Sequence, residues 1–430
     1  MSLTPLLIKN GRILDPVNGI DAKFDLFIKD GKIAGVSPSL KVPDSEKITT
    51  IEASGRTIVP GLIDMHAHLR DPGSEDEETI ESGAKAAARG GFTSVCCMAN
   101  TQPPLDSPSL IEYVVTRAKE NAIVNIFPIG AVTKGLAGKQ LAEMGRMIEE
   151  GAVAFSDDGN PIMDAQVMRL ALQYLSQFNK PLLVHAEDRN LAAGGAMNEG
   201  YVSTIIGLKG APALAEELMI ERDIGLAKKY GRIHICHVST AGSVELIRQA
   251  KKNRVPITCE TCPHYFTLTE ETVMGYNTMA KVNPPLRTED DVKAIVQGLA
   301  DGTIDVIATD HAPHNIEEKN CEFDLAASGM VGLETALSLV LSELVSTKAL
   351  SLNAAITKLT ANPAKILNLP KGNLSVGAAA DVTIIDLNRD VVIDTNEFAS
   401  RSKNSPYDGW KLKGSAVMTI VGGQIAWRAG

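Results

Sequence analysis

The residues of this chain whose types and spacing suit catalysis are histidines and aspartates at the ends of apolar runs. His66 and His68, in "HAH", follow the apolar "LIDM". Side chains two apart on a strand share a face, so both imidazoles can reach one ion. Asp158 in "FSDDG", His185 in "HAED", His237 in "ICHVS" and Asp310 in "ATDH" close four other apolar runs. Imidazole nitrogen with carboxylate oxygen suits zinc or a similar divalent ion. Four histidines and two aspartates exceed what one tetrahedral ion needs. The surplus predicts two ions sharing a bridging carboxylate, with room for a bridging hydroxide. The same groups converging without an ion would leave buried charge uncompensated.

Other polar residues read as bystanders. His234 stands three before His237 and is predicted to face the opposite side, packing or hydrogen-bonding outside the barrel. His264, in "CPHY", is expected to play a structural or supporting part. Glu75, Glu77 and Glu78 read as a solvated first helical turn favoured by the helix dipole. Of the neighbours Asp157 and Asp158, one can enter a cluster while the other turns away, toward backbone amides of the Gly159 turn. Cys259 and Cys262 form a C-x-x-C with no second pair and with Pro263 next, so they read as core thiols, as do Cys96 and Cys97.

Positioning these groups takes eight strands. Between about residues 58 and 345 the runs "TIVPGLIDMHAH", "FTSVCCMAN", "AIVNIFPIGAV", "AVAFSDD", "PLLVHAED", "RIHICHVS", "VPITCETCPHY" and "IDVIATDHAPH" alternate with amphipathic stretches. Alternating βα units with near-continuous apolar strands predict a parallel (β/α)₈ barrel, whose strand C-termini converge on one face. A helix over 74–89 is predicted, with Ser74 and Glu77 as a capping box. The flanks, 4–57 and 372–428, are short alternating strands broken by Asn-Gly and Asp-Gly turns. The expected organisation is a composite β-sandwich from 1–57 and 370–430 beside a barrel over 58–369.

Bulk properties narrow the class. The 430 residues carry a net charge of −10, which argues against nucleic acid or an anionic membrane as the main partner. No apolar stretch is long enough to span a bilayer, and the N-terminus has no secretory pattern. The opening Met-Ser-Leu reads as an expression remnant. Six cysteines in so long a chain do not suggest a disulfide framework, so a cytoplasmic location is expected.

Together, "PGLIDMHAHLRDPG", "ANTQP", "FSDDG", "HAED", "HVST", "KVNPPLR", "ATDHAPH" and "GLET" resemble the class I dihydroorotases of the amidohydrolase superfamily, from about residue 4 to residue 428. The resemblance implies a distorted (β/α)₈ barrel with a terminal β-sandwich. It implies two divalent ions, zinc foremost: His66, His68 and Asp310 on one, His185 and His237 on the other, Asp158 bridging. Arg70, Asn100 and His314 match residues that hold the substrate carboxylate, and His68 also faces the substrate. Asn283 matches a ring contact, with backbone groups around Ser328 and Gly329 contributing. The implied activity is reversible hydrolysis of the cyclic amide of dihydroorotate to N-carbamoyl-L-aspartate. A metal-bridging hydroxide would be the nucleophile and Asp310 the general acid/base. A homodimer, and association with aspartate transcarbamoylase, are family expectations. The loop 315–330 is expected to move over the substrate.

Three departures stand out. Ala99 and Ala186 replace a proline and a cysteine found in many relatives, and "AASGMVGLET" lacks a Phe-Gly that some place there. Two other assignments share parts of this pattern. Hydantoinases, dihydropyrimidinases and allantoinases share the H-x-H but bridge their metals with a carbamylated lysine. Here the fourth strand offers Asp157 and Asp158, and Lys139 and Lys180 lie off its tip. A non-catalytic partner of aspartate transcarbamoylase would have lost ligands, and all six are present.

Overall fold

The computed structural model describes residues 4–41 and 48–430, so the opening tripeptide lies outside the described residues. Eight strands pair in parallel in chain order: Leu62–Ala67, Phe92–Cys97, Asn125–Gly130, Ala154–Ser156, Leu182–Val184, Ile233–Ile235, Ile257–Thr261 and Val306–Ile307. Each falls inside one of the eight apolar runs. The ring closes beyond the last strand, where the His68 N–H donates to the His311 carbonyl at 2.8 Å. Helices such as Pro108–Asn121, Ala165–Ser176, Leu214–Tyr230 and Glu289–Asp301 alternate with the strands. This is the (β/α)₈ barrel, with the strand C-termini on one face.

Strand alternation divides the core in two. Met65, Cys96, Ile129, Leu183, Cys236 and Val306 pack together in the barrel interior, with Ile366 and Leu367 against them. Val95, Cys97, Phe155, Leu182, Ile233 and Cys259 face the helices. Cys96, Cys97, Cys259 and Cys262 are buried free thiols, the core role expected of them.

The strands of both termini meet in one sheet. Its order runs Gln424–Arg428, Lys411–Val421, Val382–Val392, Thr57–Pro60, Leu6–Asp15, Ile20–Lys29 and Lys32–Ser37, with Thr49–Glu52 also on Leu6–Asp15. The halves join where Thr57–Pro60 pairs antiparallel with Val382–Val392. Asp30 and Gly31, both at positive φ, make the tight turn expected of Asp-Gly. Asn10 and Gly11 do not turn the chain; they sit at a register shift inside the strand Leu6–Asp15. Gly61 links this sheet to the first barrel strand, and a Cβ there would lie 2.1 Å from the Thr93 hydroxyl.

Two expectations near residue 75 are corrected. The helix begins at Ile80, with Thr79 as N-cap and Ser82 completing the capping box, and not at Ser74. Nor are Glu77 and Glu78 solvated, for both are buried. Glu78 accepts from the Ser400 hydroxyl at 2.5 Å and lies 3.3 Å from His311 Nε2. Residues 71–79 are a loop that turns these carboxylates inward, because cationic and hydroxyl partners wait there.

Candidate metal centre and substrate pocket

Each ligand-type side chain reaches the barrel mouth by its own route. A register shift between Asp64 and Ala67 interrupts the first strand, and His66 lies within it. His185 follows the fifth strand, in step with inward Leu183. His237 lies two residues past the end of the sixth strand, and its φ of 37° turns it to the site. Asp310, at φ 49°, follows the eighth strand in the same way. Left-handed backbone at bulky residues is costly and concentrates at functional positions. Asp64 braces this region by accepting from the Thr309 N–H at 3.0 Å and its hydroxyl at 2.5 Å.

The six groups converge. His66 Nε2 lies 3.6 Å from Asp158 Oδ1 and 3.4 Å from Asp310 Oδ1. His68 Nε2 lies 3.1 Å from Asp310 Oδ1 and 3.6 Å from Asp158 Oδ2. His185 Nδ1 and His237 Nε2 stand 2.9 Å apart, at 3.6 and 3.5 Å from Asp158 Oδ1. Asp158 thus reaches both groups of imidazoles. Its neighbour Asp157 turns away, as expected, but to different partners. It accepts from the Val132 and Thr133 N–H groups at 2.8 and 3.0 Å, and from the Thr133 hydroxyl, not from the Gly159 turn.

All six side chains are buried, and the charge balance shows what they lack. Burial alone would raise the carboxyls, yet the imidazoles hold Asp158 and Asp310 well below the usual range. Burial would lower His185, but Asp158 and Glu187 hold it up to about 10. Without cations, the surrounding carboxylates favour the protonated forms of His66 and His185. Of the atoms that face one another in the cluster, His66 Nε2 and Asp158 Oδ1 find no hydrogen-bond partner. Donor atoms about a tetrahedral ion with bonds near 2.0–2.1 Å stand about 3.3 Å apart. The spacings here, 2.9–3.6 Å, match that arrangement. The donor set fits divalent metal.

Beside the cluster, Arg70, His314 and Glu77 come together. The Arg70 Nε donates to the Pro313 carbonyl at 3.1 Å, and its Nη2 lies 3.2 Å from His314 Nε2. Glu77, expected to be solvated, sits 3.0 Å from Arg70 Nε and 3.4 Å from His314 Nδ1. Burial pushes the Glu77 carboxyl up to about 7, against the pull of Arg70. The same burial, with Arg70 adding to it, pushes His314 down to about 3. Asn100 places its amide oxygen 2.8 Å from His68 Nδ1, so it braces a metal-type histidine. Asn283 and Ser328 line a cavity of about 310 Å³ with Glu187 and Arg189. The Gly329 N–H donates to the Lys281 carbonyl at 2.9 Å, and the Ser328 carbonyl lies 3.1 Å from His314 Nε2. The 315–330 segment wraps two lysines: Lys319 Nζ meets the Ala327 and Gly329 carbonyls at 2.8 and 2.9 Å, and Lys281 Nζ meets Phe323 at 2.7 Å.

Two residues depart from their sequence reading. His234 is fully buried inside the barrel, not outside it, because it shares a strand face with Cys236. Its Nε2 lies 3.1 Å from Glu260, which in turn sits 2.6 Å from His66 Nδ1. Glu260 was legible only as the middle of "CETC". Burial would raise its carboxyl, yet His66 and His234 hold it down to about 2. His264 is buried against Tyr265, with its Nε2 unpartnered.

Comparison with known proteins identifies the lineage. Residues 55–243 match the "Dihydro-orotase-like" family model, and residues 330–426 match the "Amidohydrolase family" model. Dihydroorotase from Pelotomaculum thermopropionicum is 56% identical, covering 98% of each chain. Dihydroorotase from Syntrophotalea carbinolica is 52% identical over 98% of this chain and 99% of its own. Among solved structures, the L-hydantoinase (dihydropyrimidinase) of Arthrobacter aurescens superposes with a TM-score of 0.89 at 29% identity, over 100% of this chain and 97% of its own. The hydantoinase likeness is strong in shape and weaker in sequence, whereas the identity to dihydroorotases exceeds one half along nearly the whole chain. The protein belongs to the dihydroorotase family of the amidohydrolase superfamily.

Proposed function

We propose that the protein is a dihydroorotase, interconverting (S)-dihydroorotate and N-carbamoyl-L-aspartate in pyrimidine biosynthesis. One observation carries the reading: six ligand-type groups, each within 3.6 Å of a neighbour in the set, at the mouth of a barrel whose rim holds Arg70 and His314. His66, His68, Asp310 and Asp158 would hold one divalent ion, and His185, His237 and Asp158 a second, zinc being the best match to these donors. Such ions supply a nucleophilic water near neutral pH and polarise an amide carbonyl.

The protein's own groups do the rest. The Asp310 carboxylate stands at the barrel mouth with Oδ1 3.1 Å from His68 Nε2, ionised by its imidazole neighbours and placed beside the reacting groups. It would take the proton of the attacking water and hand it to the departing ring nitrogen, with the reverse transfer in cyclisation. The Arg70 guanidinium would pair with the substrate carboxylate in bidentate fashion, helped by His314 and Asn100. Asn283 and the Ser328–Gly329 backbone would border the ring. The boundaries 1–57 with 370–430 and 58–369 are proposed for the β unit and the barrel. A cytoplasmic homodimer and an aspartate transcarbamoylase partner are proposed with it, testable by sedimentation alone and with that enzyme. No helix among the described residues is long and apolar enough to cross a membrane.

The deciding experiment assays dihydroorotate beside hydantoin, dihydrouracil and allantoin, with bound metal measured on the same preparation. Dihydroorotate should be strongly preferred; preference for another substrate rejects the assignment. A protein that takes up no divalent ion and stays inactive after reconstitution would return the non-catalytic partner. Asp310→Asn should keep much of the metal and lose turnover, since an amide cannot accept the proton. Near-normal turnover in that variant removes Asp310 from the role.

A further inference from the structure

Behind the metal-type ligands, a polar chain is sealed inside the barrel. Glu260 Oε1 lies 2.6 Å from His66 Nδ1, and Glu260 Oε2 lies 3.1 Å from His234 Nε2. His234 Nδ1 in turn lies 2.9 Å from the Thr258 hydroxyl. His66, His234 and Glu260 are wholly shielded from solvent. A buried carboxylate costs several kcal/mol unless its oxygens are met by donors, and here both are met.

This geometry fixes which nitrogen of His66 faces the carboxylate and which faces the cluster. A carboxylate accepts, so His66 carries a hydrogen on Nδ1, and Nε2 is the nitrogen left to offer its lone pair to an ion. That Nε2 points at Asp158 and Asp310 and has no hydrogen-bond partner of its own. The other neutral tautomer would set the Nδ1 lone pair against Glu260. The other three imidazoles of the cluster have weaker support. His68 Nδ1 meets the neutral amide of Asn100, His185 Nε2 is 3.9 Å from Glu187, and His237 Nδ1 is unpartnered.

A competing arrangement is an ion shared by His66, Glu260 and Cys236, whose ligand atoms lie within 4.8 Å of one another. The His66–Glu260 separation of 2.6 Å argues against it. Atoms that share a tetrahedral ion stand about 3.3 Å apart, whereas 2.6 Å is a short charge-assisted hydrogen bond.

We propose that Glu260 is a positioning residue: anchored by His234, it locks His66 in the orientation and tautomer that aim Nε2 at the ion site shared with His68 and Asp310. The inference rests on the metal reading above. Hydrogen-bond partners of this kind change metal affinity by about 10–100-fold when removed.

The test titrates metal-free protein with Zn²⁺ against a chromophoric chelator and counts bound zinc at saturation. Wild type, Glu260→Gln, His234→Gln and Cys236→Ser are compared. Glu260→Gln should weaken one class of site by about 10–100-fold and leave the other, with the metal-free unfolding midpoint retained. His234→Gln should weaken the same site less, and Cys236→Ser should change neither. Unchanged zinc affinity in Glu260→Gln overturns the proposal. So does a third zinc in wild type that disappears in both Glu260→Gln and Cys236→Ser, which would make Glu260 a ligand. Equal weakening of both sites with a lowered midpoint reduces Glu260 to a fold-stabilising role and also overturns it. If wild type binds no zinc, the metal reading itself has failed. Should Glu260→Gln not fold, Glu260→Asp, one methylene shorter, carries the same expectation.

Discussion

Asp157 and Asp158 are adjacent and both buried, and their partners alone make them different. Asp158 faces imidazoles from three strands, while Asp157 gathers two backbone N–H groups and a hydroxyl at the start of the loop after the third strand. Asp158→Ala should therefore abolish retention of the shared ions. Asp157→Ala should retain them and lose about 1–3 kcal/mol of stability through unpaired donors. Metal analysis and denaturant melts on the two variants check this, and the reverse order would exchange their roles. Glu77 offers a second prediction. Burial places its carboxyl at about 7, so it is mostly protonated below that pH and charged above it. The charged form stands beside Arg70 and competes with an incoming substrate carboxylate. KM for dihydroorotate should rise from about pH 6 to about pH 8 in wild type and stay level in Glu77→Gln. An equally steep rise in the variant would clear Glu77 of that part.

At the scale of elements, periodicity placed the strands and failed where the backbone leaves a regular path. All eight barrel strands lie in the runs that their apolar pattern marks, because a strand buried on both faces must be apolar throughout. His234 and His237 were separated by parity, a rule that holds only while the strand continues. The strand ends at Ile235, and the left-handed turn at His237 brings both histidines inward. The helix start shows the same limit. Ser74 and Glu77 satisfy the capping-box pattern, whereas Thr79 and Ser82, which form the box, lack its Glu or Gln, and tertiary partners for Glu77 and Glu78 draw the first pair out of the helix. Thr79→Ala should cost about 1 kcal/mol in a denaturant melt, and Ser74→Ala nothing measurable. Equal losses would place the cap elsewhere.

Over the whole molecule, the barrel mouth gathers two carboxylates and four imidazoles that the fold must compensate. Divalent ions there would compensate them, which couples metal to stability. Chelation should lower the unfolding midpoint, and zinc at about 100 times its dissociation constant should return roughly 2.7 kcal/mol per site. A melt indifferent to metal would mean the cluster is balanced by protons alone. The residue types, their order along the chain and the apolar runs behind them were enough to determine the barrel, the convergence of His66, His68, Asp158, His185, His237 and Asp310, and the family. The barrel and the convergence follow from local spacing, which strand geometry converts into position, and the family follows from the resemblance of the motifs. Three-dimensional packing alone decided the inward turn of Glu77, the donors of Asp157 and the Glu260–His234 pair behind His66. Each depends on side chains far apart in sequence, Glu260 being 194 residues from His66. A buried charge is settled by whichever partners the closed barrel brings within hydrogen-bonding reach, and no local pattern records them.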